Sequence, residues 1–308
     1  MPELPEVETL RQLLARRVAG ARIEAVPLIA AKILRAPDPA ALAAAVTGAV
    51  ITGVGRRGKY LLLRLEKPER GGPDAAAPEG QGAWDLVIHL KMRGRLRIES
   101  ESDPPGPYLC AELRLTDGRT LRYYDMWRWG EWALVSAGTA CRSLPGLAAM
   151  GPEPLEPGFT SDYLARQLAR RRGLLKPLLL GQQVVAGLGN IYCDECLHRA
   201  RLHPARLAHR LRPDEVARLH EAIVSILGAA VAQGSALAER LAAQQANLDS
   251  FAGIYASQVN DRPGQSCPTC GQALQKMHLS GRGTTLCPHC QPVADFPESP
   301  ETPKNRPR

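Results

Sequence analysis

The stretch MPELPEVETL, residues 1–10, determines the structure expected for the N-terminus. Apolar residues recur with helical spacing from Val7 to Val18, and Pro5 suits the first turn of a helix, where its missing N–H group costs nothing. Gly20 follows the last apolar position and is expected to end the helix. The pattern therefore predicts an N-terminal helix with Pro2 just ahead of its first turn.

Downstream of this helix, residues 21–135 contain short apolar runs that alternate with polar residues, among them YLLLRL, WDLVIHL, GRLRI, AELRLT and TLRYYD. Alternation with a period of two predicts strands with one buried face, and so a β-rich domain. Two stretches rich in Pro, Gly and charge, at 67–82 and 99–107, are predicted to be surface loops, and we expect the first to be mobile.

A dense run of prolines and glycines at 143–158 predicts a linker, and helical patterns dominate the chain beyond it. The clearest predicted helix starts near Pro213, carries an apolar stripe from Val216 to Ala230 and is expected to end near Gly234. The last residues, 292–308, have few apolar side chains to bury, which predicts a disordered tail.

Composition and charge limit the classes of function. The 308 residues are 44% hydrophobic, with a net charge of +8 at pH 7 and a pI near 9.2. This basicity favours a polyanionic partner, although many enzymes without nucleic-acid substrates share it. The sequence has no run of eighteen apolar residues and no basic leader followed by an apolar stretch, so we expect neither a membrane partner nor secretion, but a cytoplasmic protein.

Four of the eight cysteines form two C-x-x-C pairs, CPTC and CPHC, with sixteen residues between them. The four are Cys267, Cys270, Cys287 and Cys290. This spacing is typical of a four-thiolate zinc ribbon; two disulfides are the alternative, which a reducing compartment disfavours. We therefore predict one structural Zn²⁺ ion, with the nearby His278 and His289 outside its ligand set. The isolated C-x-x-C at 193–196 is expected to consist of ordinary buried residues, with a redox or metal role as the alternative.

Three further motifs are weak evidence when each is taken alone. VVAGLGNIY, residues 184–192, places a Gly-x-Gly-Asn turn between two helices, where backbone N–H groups and Asn190 can meet a phosphate. No strand precedes this turn, so it is not a dinucleotide-binding motif. RRGKYLLL sets Lys59 just before a strand, and HLKMRGRL places Met92 in a basic, glycine-bounded turn.

Together, these motifs point to one family. The order PELPEVE, RRGKYL, HLKM, RYYDMWRWG, VVAGLGNIY and a C-terminal four-cysteine ribbon resembles the formamidopyrimidine-DNA glycosylase family of Fpg/Nei-type enzymes over nearly the whole chain. PELPEVE is similar to the formamidopyrimidine branch, since the endonuclease VIII branch usually reads PEGPE. The resemblance implies an α+β fold: an N-terminal helix with a two-layer β-sandwich, then a helix-two-turn-helix domain and a zinc-ribbon β-hairpin.

The resemblance also implies five segments and an activity. The segments are a catalytic β-sandwich at 1–140, a linker at 141–158, the helix-two-turn-helix domain at 159–262, the zinc hairpin at 263–291 and the tail at 292–308. The implied activity is that of a bifunctional base-excision glycosylase and abasic-site lyase. It would remove oxidised or ring-opened bases from damaged double-stranded DNA, as a monomer in the nucleoid-containing cytoplasm of a bacterium.

The resemblance assigns the chemistry to the N-terminus. Once Met1 is trimmed, as a small second residue allows, Pro2 would attack C1′ of the damaged nucleotide and form an iminium. An α-amino group has a reference pKa of only about 7.7–8.0, and the adjacent helix N-terminus favours its neutral form. Glu3 would shuttle protons and Glu6 would orient the N-terminus, with Lys59 completing the catalytic group.

The resemblance implies the DNA contacts as well. Lys59, Asn190 and Arg282 match the positions that grip the phosphates flanking the lesion. Arg282 would lie at the tip of the zinc hairpin, so the metal would serve to hold one arginine in a fixed pose. Met92 matches the residue that fills the gap left when the damaged nucleotide is extruded.

Three segments of this chain depart from the usual wording of the family. Where the family reads HLGMSG, Lys91 and Arg93 flank Met92. The segment from Ser235 to Asp261 lacks the motifs of the loop that closes over the extruded base. The third departure lies at the predicted intercalating positions.

The usual DPRRFG is DMWRWG in this chain, so Trp127 and Trp129 occupy the intercalating positions, with Arg128 between them. Packing in a core strand is the alternative for either tryptophan. A damage-binding relative with altered lesion specificity, for oxidised pyrimidines or abasic sites, or with weakened catalysis is one alternative function. A zinc-ribbon protein that binds nucleic acid for another purpose is a second.

Overall fold

The computed structural model describes residues 1–68, 82–252 and 254–293. Most of the predicted mobile loop at 67–82 and of the predicted disordered tail at 292–308 lies outside the described residues. Within them the helices are α1 (Leu4–Val18), α2 (Pro39–Val46), α3 (Ala140–Ser143), α4 (Pro145–Ala148), α5 (Ser161–Ala169), α6 (Leu175–Leu180), α7 (Asn190–Arg199) and α8 (Pro213–Ala243).

Strands occur in both the N-terminal and the C-terminal parts of the chain. They are β1 (Ile23–Ile29), β2 (Leu34–Ala36), β3 (Val50–Arg57), β4 (Tyr60–Glu66), β5 (Ala83–His89), β6 (Arg95–Ser100), β7 (Leu109–Leu115), β8 (Arg119–Tyr124), β9 (Glu131–Ser136), β10 (Gln275–Leu279) and β11 (Arg282–Leu286). The chain forms two compact units. The N-terminal unit comprises Met1–Glu153 with Leu227–Ala256, and the zinc unit comprises Pro154–Ile226 with the chain from Ser257 onward.

The N-terminal unit is a sandwich of two sheets, in the orders β1-β7-β8-β6 and β2-β9-β5-β4-β3. Along β4, Leu61, Leu63 and Leu65 are fully buried while the residues between them are only partly covered, as the predicted alternation requires. Buried residues of both sheets and of α1 belong to one hydrophobic core. The predicted β-sandwich with an N-terminal helix is therefore confirmed.

Helix α1 has the predicted features. It begins at Leu4, carries Pro5 in its first turn and ends at Val18. Gly20 follows with a φ of +83°, a left-handed conformation that glycine adopts without steric cost. The apolar face of the helix, including Leu10 and Leu13, lies in the core of the sandwich.

Helix α8 is longer than predicted. It does not end near Gly234 but continues to Ala243, over 31 residues. A Cβ atom at Gly234 would lie 2.0 Å from the hydroxyl oxygen of Thr9, so this glycine permits the close approach of α8 to α1. By length and composition alone α8 is long and apolar enough to cross a membrane, a criterion that a core helix of a soluble protein also meets.

The stretch directly after α8 packs within the N-terminal unit. The side-chain amide of Asn247 accepts the N–H of Ile98 at 2.8 Å and donates to the carbonyl of the same residue at 3.0 Å. Leu248 and Ile254 are buried in the core of this unit. Part of the 235–261 segment is thus fixed to the edge strand β6.

The zinc unit contains helices α5, α6 and α7, the first half of α8 and the β10–β11 hairpin. The predicted Gly-x-Gly-Asn turn lies between α6 and α7. Gln182 fixes this turn, since its amide donates to the carbonyl of Leu188 at 2.6 Å and accepts the N–H of Gly187 at 2.8 Å. The turn therefore has a defined shape before any ligand binds.

Candidate catalytic and nucleic-acid-binding sites

The predicted catalytic residues of the N-terminus are buried around the first turn of α1. Pro2 is buried, and Glu3 and Glu6 are 1% and 5% exposed. Glu6 Oε2 accepts the backbone N–H of Glu3 at 2.8 Å, and the Glu3 side chain accepts the backbone N–H of Glu6. This reciprocal capping box holds both carboxylates at the positive end of the helix.

Lys59 lies in the tight turn between β3 and β4 and is 7% exposed. Gly58 precedes it with a φ of +54°, and its N–H donates to Glu153 Oε1 at 2.6 Å. The same carboxylate forms ion pairs with Arg56 at 2.7 Å and with Arg57 at 3.0 Å. Glu153 therefore fixes the turn that carries Lys59.

A second carboxylate ties this turn to α1. Glu8 Oε2 lies 2.9 Å from Arg56 Nε, and Glu8 Oε1 lies 2.7 Å from Arg11. Burial tends to raise the pKa of the Glu8 carboxyl, but hydrogen bonds from Arg11, Gln12 and Arg56 outweigh it, so this pKa is below its ordinary value. The Arg56 guanidinium is therefore paired with two carboxylates, those of Glu8 and Glu153. The sequence argument did not identify Glu8 or Glu153.

His89, at the end of β5, is a further residue that the sequence argument missed. Its ring packs edge-on against Tyr60 with the centroids 4.5 Å apart, and its Nδ1 accepts the N–H of Lys91 at 2.9 Å. Burial and the nearby charges of Lys91 and Lys59 lower the pKa of His89 to about 3. This imidazole is therefore neutral at pH 7.

Met92, Trp127 and Trp129 lie in two exposed loops. Met92, between β5 and β6, is 39% exposed, whereas Trp127 and Trp129, between β8 and β9, are 37% and 54% exposed. The two indole rings contact each other with their centroids 4.7 Å apart. Neither tryptophan lies in a core strand, so the packing alternative is wrong.

The two loops touch through a residue that departs from the family wording. The Arg93 guanidinium lies over the Trp127 ring, 5.5 Å from its centroid, a cation–π contact. We call the loops that carry Met92, Trp127 and Trp129 the wedge loops. Trp127, Trp129 and the Arg93 guanidinium thus form one contact cluster that joins the two loops.

Asp125 shapes the second wedge loop. It is 2% exposed, and its carboxylate accepts the backbone N–H of Trp127 at 3.1 Å and of Trp129 at 2.9 Å. Arg128 between them has a φ of +53° and an exposed side chain. Asp side chains commonly accept hydrogen bonds from backbone N–H groups a few residues further along the chain. The Asp in DMWRWG is therefore a sequence signal for this loop.

In the zinc unit, the predicted phosphate-binding residues lie on α7 and on the hairpin. Asn190 is the first residue of α7, and its amide donates to the carbonyl of Gly283 on β11 at 3.0 Å. Arg282 is exposed and directly follows the hairpin turn, in which Ser280 and Gly281 have φ values of +49° and +74°. Arg282 therefore lies at the tip of the hairpin, as predicted.

A buried polar network joins this hairpin to α7. Lys176 Nζ, fully buried, donates to Asp194 Oδ1 at 2.6 Å and to the Thr284 hydroxyl at 2.9 Å. Burial raises the pKa of the Asp194 carboxyl, against the opposing effect of Lys176. Glu195 accepts three backbone N–H groups of residues 258–260 at 2.8–3.0 Å. Sequence reasoning singled out none of these residues.

The four predicted zinc ligands converge. Their Sγ atoms all lie within 4.8 Å of one another, at 3.9 Å for Cys267 and Cys290 and 3.5 Å for Cys270 and Cys287. A disulfide would need about 2.05 Å, whereas zinc–sulfur bonds of about 2.3 Å in a tetrahedron place the sulfurs about 3.8 Å apart. The donor set therefore fits one structural zinc ion.

Histidines do not enter this cluster in the described part of the chain, which agrees with the prediction for His278 and His289. A third histidine contacts it instead: His198 Nε2 lies 3.2 Å from Cys267 Sγ. Such a contact orients a metal-binding thiolate. Cys193 and Cys196 are buried in α7 and outside the cluster, as expected.

Comparison with known proteins agrees with this geometry. Family models match for the formamidopyrimidine-DNA glycosylase N-terminal domain (1–132), its H2TH domain (150–240) and the zinc finger found in FPG and IleRS (264–293). Formamidopyrimidine-DNA glycosylase of Symbiobacterium thermophilum is 43% identical, covering 96% of this chain and 90% of the relative. That of Pelotomaculum thermopropionicum is 38% identical, covering 95% and 100%. Lactococcus lactis Fpg, in complex with DNA containing N7-benzyl-Fapy-dG, superimposes with a TM-score of 0.79 at 30% identity, covering 95% and 100%.

Proposed function

The chain belongs to the formamidopyrimidine-DNA glycosylase family of base-excision-repair enzymes, in which glycosylase activity is typically joined to abasic-site lyase activity, and we propose that Pro2 is its nucleophile. The observation that carries the proposal is the capping box directly behind Pro2, which fixes Glu3 and Glu6 beside the residue that becomes the N-terminus when Met1 is removed.

In this proposal the neutral secondary amine of Pro2 attacks C1′ of the damaged nucleotide. The base departs, the sugar ring opens and an iminium links the chain to the DNA. Glu3 supplies and removes the protons that base departure and ring opening need. Glu6 accepts the backbone N–H of Glu3 and so keeps the proton-transferring carboxylate in one orientation.

Damaged double-stranded DNA is the proposed partner, and both units would contribute contacts to it. Lys59 in the N-terminal unit and Asn190 and Arg282 in the zinc unit would bind phosphates. The exposed side chains of the wedge loops, with Arg128 among them, would fill the gap left by the extruded nucleotide. The Lactococcus lactis relative was solved on DNA containing an abasic site, which supports this assignment.

The proposed division of labour follows the predicted segments. The sandwich at 1–140 carries the chemistry, while the segments at 159–262 and 263–291 hold the DNA. Zinc stiffens the hairpin so that Arg282 keeps its pose. We further infer that the protein acts as a monomer in the cytoplasm, with α8 inside the protein and not in a membrane.

Borohydride trapping on abasic-site DNA tests the proposal, because the reagent reduces the iminium to a stable covalent link. The wild-type protein should be trapped, whereas trapping of Pro2→Gly and of a variant that retains Met1 should be strongly reduced, although both should still bind the DNA. Pro39→Gly is the matched control, since Pro39 also lies at a helix N-terminus. Undiminished trapping of either N-terminal variant would exclude Pro2 as the nucleophile.

A further inference from the structure

A groove of about 390 Å³ opens on the N-terminal unit beside the second wedge loop. Arg95 and Arg97 of β6 line it, because the alternate residues Leu96 and Ile98 point into the core. Tyr108 and Met126 complete its rim, and they are 56% and 46% exposed. The volume lies within the range of about 300–1,000 Å³ that is usual for ligand-binding clefts.

The acidic groups of the groove are already satisfied. Glu99 accepts the hydroxyl of Tyr124 at 2.6 Å and pairs with Arg97 and Arg122, each at 3.0 Å. Among the described residues, no ion pair reaches Arg93 or Arg95, although both line the groove. The groove thus offers two cations to a ligand and no unsatisfied carboxylate.

Tyr108 is held in an unfavourable conformation. Its φ is +68°, a value that side-chain-bearing residues rarely adopt. Its carbonyl oxygen accepts the Asp125 N–H at 3.0 Å and the Cys110 thiol at 3.3 Å, and these bonds hold the backbone in place. The result is a large aromatic ring that stays in solvent at the rim of a basic groove, an arrangement that points to a stacking contact.

We propose that this groove binds one unpaired nucleotide of a DNA strand, with the base stacked on Tyr108 and the phosphate held by Arg93 and Arg95. Aromatic rings interleaved with cations are the chemistry by which proteins hold single strands. Arg93 also contacts Trp127, so the groove begins where the wedge loops would interrupt a duplex. The statement that the wedge loops supply the unpaired nucleotide rests on the proposed function. The binding of a nucleotide in the groove does not.

Binding of a fluorescent oligothymidylate to the full-length protein, followed by anisotropy, tests the groove. Tyr108→Ala should weaken binding about fivefold or more, whereas Tyr108→Phe, which keeps the ring, should bind like the wild type. Arg95→Ala should lower the slope of log affinity against log salt by about 0.7. Arg142→Ala removes an exposed arginine outside the groove and should leave the slope nearly unchanged.

A crosslink locates the bound base directly. An oligothymidylate with 5-iododeoxyuridine, irradiated on the protein and mapped by mass spectrometry, should link to the peptide that contains Tyr108. Crosslinks only to other peptides would overturn the proposal, as would wild-type affinity of Tyr108→Ala. Sensitivity to Arg95 without sensitivity to Tyr108 would also overturn it, because it would indicate an anion site that an acidic peptide fills equally well.

The proposed nucleophile and the proposed groove site can be disproved independently of each other. Tyr108 lies outside the proposed catalytic group, so Tyr108→Ala at a concentration that saturates the DNA should still be trapped by borohydride on abasic-site DNA. Pro2→Gly should show strongly reduced trapping and keep its affinity for oligothymidylate. A protein that is trapped normally but shows no dependence on Tyr108 retains the proposed function and lacks the groove site.

Discussion

Glu3, Glu6 and Lys59 are 1%, 5% and 7% exposed, whereas Trp127 and Trp129, in the same compact unit, are 37% and 54% exposed. Glu3 and Glu6 are held by the capping box of α1, and the β3–β4 turn that carries Lys59 is held by Glu153. The wedge loop that carries Trp127 and Trp129 is held through its backbone, by Asp125. Proton transfer needs fixed carboxylates, while stacking on DNA needs accessible rings.

A change in the buried group leaves partners without hydrogen bonds and should affect the free protein as well as the reaction. A change in the wedge loops removes exposed surface, which the proposed function uses only when DNA is bound, so the free protein should be unaffected.

Glu3→Gln should give the largest effect. Glutamine keeps the oxygen that accepts the Glu6 N–H but cannot transfer a proton, so single-turnover base excision should fall by about 100- to 10,000-fold. Some trapping at preformed abasic sites should persist, because the base has already left and only the proton transfer of ring opening is impaired. Glu24→Gln, an exposed carboxylate of the same unit, is the control. Equal loss of excision and trapping would mean that Glu3 is structural.

Glu153→Ala should destabilise the N-terminal unit by about 3 kcal/mol, because Arg56, Arg57 and the N–H of Gly58 lose a buried partner. All four tryptophans lie in this unit, so unfolding by denaturant followed by tryptophan fluorescence measures it selectively. Glu101→Ala, which removes one exposed ion pair with Arg114, should cost less than about 1 kcal/mol. Equal effects of the two substitutions would contradict the role of Glu153 in fixing the Lys59 turn.

Zinc removal, or Cys267→Ser, should weaken binding to lesion-containing DNA about tenfold through displacement of Arg282. The unfolding transition seen by tryptophan fluorescence should not move, because every tryptophan lies in the other unit. Arg282→Ala in the zinc-loaded protein should lower the salt slope by about 0.9, and Lys276→Ala on the same hairpin is its control. An unchanged slope for Arg282→Ala would argue against a phosphate contact.

How much the sequence predicts depends on how far apart the interacting residues lie. Glu3 and Glu6 are three residues apart, so the pattern PELPEVE contains their interaction. Glu153 bonds to Gly58, 95 residues away, and its segment was predicted to be a linker because prolines and glycines dominate it. Gly234 has the local properties of a helix end, but its contact with Thr9 is tertiary and overrides them.

His89 gives a smaller effect, in a pH window set by its pKa. That pKa is about 3 in the folded protein, against an ordinary value of about 6.5, so between these values only the unfolded chain takes up the proton. Stability is therefore lost as the pH falls, by about 1–2 kcal/mol between pH 7 and pH 5. His89→Gln should flatten this dependence. His89 is the sole histidine of residues 1–153 and 227–256, so tryptophan fluorescence isolates its contribution.

The smallest expected effect is at the wedge loops. Two exposed indoles can each stack on a base with roughly 1–3 kcal/mol, and stacking tolerates any base. The usual arginine of the family is absent from position 127, so little remains there to read the base opposite the lesion by hydrogen bonds. Excision should therefore differ by less than about threefold among the four opposite bases, and Trp127→Arg should increase the difference.

Measurement of excision rates also tests which lesion the protein prefers. Asn247 fixes the segment after α8 to Ile98, and Leu248 is buried in the core, so this segment is committed to the N-terminal unit. We expect 8-oxoguanine, whose recognition in the family depends on a loop from this segment, to be excised more slowly than a formamidopyrimidine. Single-turnover excision of both lesions opposite each base, with an abasic control, decides the matter. Fast and cytosine-selective removal of 8-oxoguanine would show that Trp127 and the segment after α8 discriminate bases as well as the usual residues do. It would contradict the expectation that the wedge loops tolerate any base, while leaving the buried group of Glu3, Glu6 and Lys59 unaffected.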